Sequence, residues 1–446
     1  MQHTLKETVG KIIQNPNYIF LLAVINGAAV MNFHRLIYAN ERLLYLILLL
    51  LAITIVNYKK WWAALANCCI LIALHIFAFP RIANHSVVIL FISLALWLLF
   101  GLKLFRIKLQ PDPNFISYCF RIVTVCIYFY TGFHKLNTDF FNPCVSCVNQ
   151  INEYTISNIL RIDFRVNALL SRFFQISSLF IEMVIPFGLL WHKTRKYAVI
   201  VLLLFHTYLS LSVFADFSAV ALILLLGSVH NFNGKEIPVP LVKGLRIYLV
   251  FIILSITSYI VLRLASIRNP QFFQGVLFAI GYLVFIYTYF KTMPLTRFYF
   301  RKSYILPLAA VIVVISFWTL KTYIGLGNSA NLTMFSNLVT EKERNNHLLI
   351  DTRKTKIFDF EEDSVYIIYL DKWKYNGYKL AVVEFSFLAN NLSRKKGKPV
   401  SCTLIYKGKK LHYDDIGKSP FKETKWWYKY LYFREIQISS PNRCRW

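Results

Sequence analysis

The stretch "TGFHKLNTDFFNPCVSC", Thr131 to Cys147, gathers an imidazole, an amine, an amide, a carboxylate and two thiols within a short span of chain. It follows a long apolar run. A lysine at the end of such a run has two readings. In one, Lys135 is an anchor whose stem lies along apolar surface while its ammonium reaches the headgroup zone. In the other, the amine turns into a water-poor cavity. Lost hydration disfavours the charged form there, and a neutral amine can act as a general base. Cys144 and Cys147 form a Cys-x-x-Cys pair in a loop. They read as a local disulfide, as two free thiols, or as a dithiol redox centre.

Two carboxylates, Glu182 and Asp216, lie inside apolar runs. A charge at mid-membrane costs about 2.5–3.5 kcal/mol even on the lenient insertion scale, so such residues face cavities or partners. Glu182 reads either as a functional group or as a structurally paired one. Asp216 reads as a polar break in a helix. His75, His85, His134 and His206 stand in or near the apolar zone, where a histidine is either a satisfied structural residue or a catalyst. No Cys/His spacing resembles a zinc site, so no metal is expected.

The elements that must position these groups are apolar runs at about 17–32, 43–57, 61–79, 86–105, 115–133, 174–191, 197–228, 247–266, 273–290 and 305–324. The runs are continuous rather than alternating, which indicates helices and not barrel strands. Run 197–228 would be roughly 48 Å long as one helix, against about 30 Å of hydrocarbon, so two helices or a broken one are expected there. The fold class is therefore an all-α polytopic membrane protein with about nine to eleven transmembrane helices. After residue 325 the composition changes. Short aromatic and β-branched runs, "SVYIIYL", "YKLAVVEFSFL", "SCTLIYKGKKL" and "WWYKYLYFREIQI", predict a β-rich extramembrane domain over 326–446, following a transmembrane domain over 1–325.

Of the 446 residues, 57% are hydrophobic and only 16% are charged, yet the formal net charge is +28. The basic residues are spread over short loops, where they orient helices and face anionic headgroups. No nucleic-acid recognition fold accompanies them, so nucleic acid is not an expected partner. The lipid bilayer is. The polar first sixteen residues give no cleavable signal. With Lys6, Lys11, Lys59, Lys60, Lys103, Arg106, Lys108, Lys193, Arg195 and Lys196 on the cytoplasmic side, the 134–173 loop and the C-terminal domain are extracytoplasmic. The expected location is a bacterial plasma (inner) membrane rather than the endoplasmic reticulum.

"YFYTGFHKLNTDFF", residues 128–141, resembles the signature of the horizontally transferred transmembrane (HTTM) family, which includes the vitamin K-dependent gamma-glutamyl carboxylases. Gly132, Lys135, Leu136 and Asn137 match its glycine, lysine–leucine pair and acidic-or-amide position. "ANHSVVILFISLALWLLF" from Ala83 and "LLFHTYLSLSVFADFSAV" from Leu203 are similar to two further helices of that family. The resemblance covers roughly residues 80–230. It implies that Lys135 is the base that deprotonates a reduced vitamin K-type, menaquinone-like quinone. Oxygen then converts the quinone to a strong base that removes a γ-proton from a glutamate of a peptide or protein substrate, and carbon dioxide is added. The resemblance gives His85 a charge-stabilising or relay role and places His206 in the same cavity. Gly132, His134, Asn137 and Glu182 complete the expected substrate or quinone site. The sequence departs from the pattern in its Cys-x-x-Cys pair and in a short C-terminal region.

The expected function is thus a membrane-embedded enzyme that uses reduced quinone, O2 and CO2 to modify glutamate. Two alternatives remain open at this level. One is a quinone-linked thiol oxidoreductase acting through Cys144 and Cys147. The other is a non-catalytic receptor or maturation partner whose basic C-terminal region, with 22 Lys and Arg against 13 Asp and Glu, grips an acidic polypeptide.

Overall fold

The computed structural model describes residues 16–446 apart from 35–40, 58–60, 79–83, 105–111, 213, 234–235, 294–296, 298, 343, 372–375, 395–398, 424, 432, 438–440, 442–443 and 445–446. The basic residues Lys6, Lys11, Lys59, Lys60, Arg106 and Lys108, the polar first fifteen residues and Ala83 lie outside the described residues. The chain is mostly helical, and its contacts divide it into two compact units. The first contains residues 1–129, 151–165 and 180–315. The second contains 130–150, 166–179 and 316–446.

Among the described residues, each apolar run in the sequence is largely helical. In chain order the helices are α1 (Pro16–Phe33), α2 (Glu41–Asn57), α3 (Trp61–Ala78), α4 (Ser86–Leu104) and α5 (Pro113–Phe133). After them come α6 (Cys147–Leu160), α7 (Ala168–Met183), α8 (His192–Ser210), α9 (Ala215–Val229), α10 (Val239–Leu264), α11 (Pro270–Thr292) and α12 (Ile305–Leu320). Run 197–228 is two helices, α8 and α9. Asp216 sits in the first turn of α9, where a carboxylate favours the helix dipole. The Ser218 hydroxyl donates to the carbonyl oxygen of His206 across the break, at 2.8 Å. Helix α6 follows no apolar run. Its sequence, CVNQINEYTISNIL, is too polar to be read as a span.

Among the described residues, five helical stretches are long and apolar enough to cross a membrane: Pro113–Phe133, Ala168–Leu189, Val239–Leu264, Pro270–Thr292 and Lys302–Ile324. Shorter apolar helices occupy Phe20–Phe33, Trp62–Ala78, Ser86–Leu98 and Ala215–Val229. The long helices carry an apolar outer face. Val250, Ile253 and Leu254 on α10, and Ile280, Leu283 and Tyr287 on α11, are all exposed. An apolar surface of this extent suits lipid contact rather than water. Helices α10 and α11 pack as an antiparallel pair. Gly244 lies against Thr288 and Gly281 against Phe251, so small residues let the two backbones approach. Apart from Asp216 in its first turn, helix α9 is mostly apolar and buried.

The second unit contains a four-stranded antiparallel sheet in the order β2-β1-β3-β4, made of β1 (Ser364–Leu370), β2 (Lys379–Ala381), β3 (Cys402–Tyr406) and β4 (Lys409–Tyr413). "SVYIIYL" and "SCTLIYKGKKL" are strands as expected. Lys407 and Gly408 link β3 to β4 with φ of 48° and 76°, the positive pair that a tight two-residue hairpin needs. Only the first residues of "YKLAVVEFSFL" are a strand. Val382–Arg394 is a helix, α13. Phe385, Leu388, Ala389 and Leu392 recur at helical spacing and join the sheet core of Val365, Ile367, Cys402 and Leu404. Among its described residues, "WWYKYLYFREIQI" supplies a short 3-10 turn, Tyr428–Tyr430, and a bridge from Ile436 to Lys379.

Candidate functional site

Within the first unit, four of the sequence-derived residues, His85, Glu182, His206 and Asp216, share one neighbourhood. The Phe217 ring lies 5.5 Å from the His85 ring and 4.9 Å, edge-on, from the His206 ring. His85 Nε2 is 3.6 Å from a carboxylate oxygen of Asp216, so Asp216 both starts α9 and faces an imidazole. His206 Nε2 is hydrogen-bonded to the hydroxyl of Tyr128 on α5. Glu182, only 6% exposed, lies within electrostatic reach of that hydroxyl. The hydroxyls of Tyr248 and Tyr282 are buried in the same unit. Sequence reasoning passed over Tyr128, Tyr248 and Tyr282, because a tyrosine inside an aromatic-rich apolar run carries no local mark of polarity. It also missed the buried guanidinium of Arg121, whose Nε donates to Ser228 O at 2.9 Å with the cation over the Tyr118 ring. Arg195, read as a basic residue on the cytoplasmic side, lies buried in α8, its Nε donating to Leu189 O at 3.0 Å.

The second unit holds the segment that carries Lys135. Helix α5 ends in a tight turn, in which the backbone N–H of Lys135 donates to Gly132 O at 2.9 Å. The turn aims His134 and Lys135 inward, leaving them 0% and 4% exposed. His134 Nδ1 is 2.8 Å from the Tyr323 hydroxyl. Burial, followed by the nearby His347, pushes the His134 imidazole down to about 3. His347 is fixed as a neutral tautomer. Its Nδ1 accepts from the backbone N–H groups of Leu349 and Ile350, both at 3.1 Å. Its Nε2 therefore carries the proton and donates to Phe133 O at 3.1 Å. Burial also lowers the His347 pKa.

Asn137 does structural work. Its amide N–H groups donate to His134 O and Ser336 O, and its oxygen accepts from Phe140 N. Asn346 adds a clamp, donating to Asp139 Oδ2 and to Asn337 O. Asn337 in turn accepts from Cys147 N and donates to Val145 O. A network of amides from 336–346 thus holds the 137–147 loop. An asparagine whose amide serves three backbone groups has little capacity left for a ligand.

The thiols differ from expectation. Cys147 is bonded to Cys444, 297 residues later, and Cys144 is an exposed free thiol. The Cys144–Cys147 pair forms neither a local staple nor a dithiol centre. Connectivity of this kind is not written in cysteine spacing. Among the described residues, no group of three or more His, Cys, Asp or Glu is placed to hold a metal ion.

These features define a helical membrane-type protein with a small antiparallel sheet. No protein-family model matches the chain, and neither a curated protein nor a solved structure matches it.

Proposed function

We propose that the chain is a membrane-embedded enzyme in which Lys135 is the base, using a reduced menaquinone-like quinone, O2 and CO2 to modify glutamate in a peptide or protein. The observation that carries this reading is the burial of Lys135, 4% exposed directly after a membrane-length apolar helix. An anchoring lysine in that position would leave its ammonium in the headgroup zone. A site for a reduced quinone needs a proton acceptor in a water-poor surround. The stretch in which His134, Asn137 and Phe140 are all 0% exposed meets that need. When bound, the reduced quinone with oxygen supplies the strong base that the reaction requires. Lys135 accepts the proton, and the turn from Gly132 holds its backbone. The Asn137 and Asn346 amides keep the loop closed around it, so water stays out. His134 is held by Tyr323 as a neutral ring.

Three wider statements belong to the same proposal. The four shorter apolar helices also cross, bringing the crossings to nine, at the low end of nine to eleven. The second unit lies outside the cytoplasm of a bacterial plasma membrane, a placement supported by its Cys147–Cys444 disulfide, since such bonds persist in oxidising compartments. The chain belongs with the HTTM carboxylases.

The test uses purified full-length protein with a reduced short-chain menaquinone, oxygen, labelled CO2 and glutamate-containing peptides. Quinone epoxide and incorporated label are measured separately. Lys135→Ala is expected to abolish epoxide formation while the protein still inserts and melts as wild type. Unchanged epoxidation by that variant would sink the assignment.

A further inference from the structure

The hydrogen bond between Tyr128 and His206 has a consequence at the far side of the ring. If the Tyr128 hydroxyl donates to Nε2, the neutral imidazole carries its proton on Nδ1. If Nε2 donates instead, Nδ1 is a bare lone pair. In either case Nδ1 of a fully buried ring has no hydrogen-bond partner among the described residues. Buried polar atoms mostly have partners, and a group of exceptions gathered around one ring is where a bound molecule would supply them. The hydroxyls of Tyr248 and Tyr282 are likewise fully buried and without a hydrogen-bond partner, and Tyr282 lies within electrostatic reach of both Tyr128 and Tyr248. At the other end of the bond, the buried Glu182 carboxyl lies within electrostatic reach of Tyr128. Carboxyl, phenol and imidazole can each give one proton while taking another, and they come here from three helices, α7, α5 and α8.

We propose that Glu182, Tyr128 and His206 form a proton relay serving a neutral, oxygen-bearing apolar molecule bound against Nδ1 of His206. The Nδ1–H proton passes to the ligand oxygen, Nε2 takes the Tyr128 proton, and the Tyr128 oxygen takes the carboxyl proton of Glu182. Three bonds to hydrogen break and three form. Glu182 ends as carboxylate and the ligand gains one proton. Run backwards, the relay removes a proton from a ligand hydroxyl. The apolar body of the ligand follows from the rings of Phe205 and Phe217, edge-on to His206 at 5.4 and 4.9 Å. The choice of a quinone as probe rests on the proposed function; the relay does not.

The experiment uses the full chain in lipid nanodiscs with 15N-labelled histidine. In wild type the His206 signals, identified by their loss in His206→Gln, are expected to report a neutral ring protonated on Nδ1. Tyr128→Phe is expected to move the proton toward Nε2, and adding a reduced short-chain menaquinone is expected to shift the Nδ1 signal. An infrared carbonyl band from a protonated carboxyl, absent in Glu182→Gln, provides a second measure if Tyr128→Phe does not fold. A tautomer indifferent to Tyr128→Phe, or a missing carboxyl band, overturns the relay. An Nδ1 signal indifferent to the quinone overturns the ligand assignment. Lost turnover in Lys135→Ala with an intact histidine response separates the relay from the fate of the proposed function.

Discussion

Gly275, near the start of α11, packs against the break between α8 and α9. A Cβ built there would fall on the carbonyl oxygen of Ser210, 3.0 Å from its carbonyl carbon and 3.3 Å from the Cα of Leu211. Two effects oppose each other in Gly275→Ala. Alanine is favoured over glycine in a helix by about 1 kcal/mol. Against this, carbon atoms pack best at roughly 3.5–4.0 Å, so the backbones must part by about 0.5–1.0 Å for the carbonyl carbon alone, and further for the oxygen. Overpacking costs about 1–3 kcal/mol, occasionally more. The obstacle is backbone, which no rotamer change relieves, so the upper part of that range applies. The expected result is a net loss of about 1–2 kcal/mol, read as an earlier unfolding midpoint in detergent. Ile280→Ala, on the exposed face of the same helix, should stay within about 0.5 kcal/mol of wild type. A Gly275→Ala protein as stable as wild type would refute the close approach of α11 to Ser210.

The remaining predictions concern the second unit. With folded pKa values below the unfolded value of about 6.5, His134 and His347 stabilise the unit above that pH, and the stability is lost as pH falls from about 6.5 toward their folded values. The loss per histidine is up to about 1.4 kcal/mol per pH unit, and a flat melting temperature between pH 7 and 4.5 would contradict it. Under native conditions a maleimide should modify Cys144, and peptide mapping without reductant should recover Cys147 joined to Cys444; a recovered Cys144–Cys147 peptide would reverse that assignment. Lys407 occupies a left-handed conformation that costs a lysine about 1–2 kcal/mol, so Lys407→Asn should raise the melting temperature of the unit, while Gly408→Val should lower it.

The helices were legible because an apolar run of membrane length has few other uses, and the break after Ser210 was legible because 32 residues overshoot a bilayer. What escaped depends on contacts distant in sequence. The polar helix α6 packs through pairs such as Tyr208 with Asn152, which no local pattern reveals. Helix α13 reads as a strand from sequence because its first residues are β-branched and aromatic, and the longer period emerges from Phe385 through Leu388, Ala389 and Leu392. Lys135 and His206 stood out in the sequence as charge or polarity in an apolar setting. Tyr128 did not, since its partner lies 78 residues further on. The bracing contacts of Asn137 were not legible, because Ser336 and Asn346 arrive about 200 residues later.

The bond between Cys147 and Cys444 also imposes an order on biogenesis. Cys147 must wait, through the synthesis of 297 further residues, for the thiol it keeps. For all that time the nearer thiol of Cys144 is within easy reach. The amide network that holds the 137–147 loop depends on residues 336–346, which also emerge late. A nascent chain can therefore close the small ring first, and the Cys147–Cys444 pairing requires that such a bond not persist.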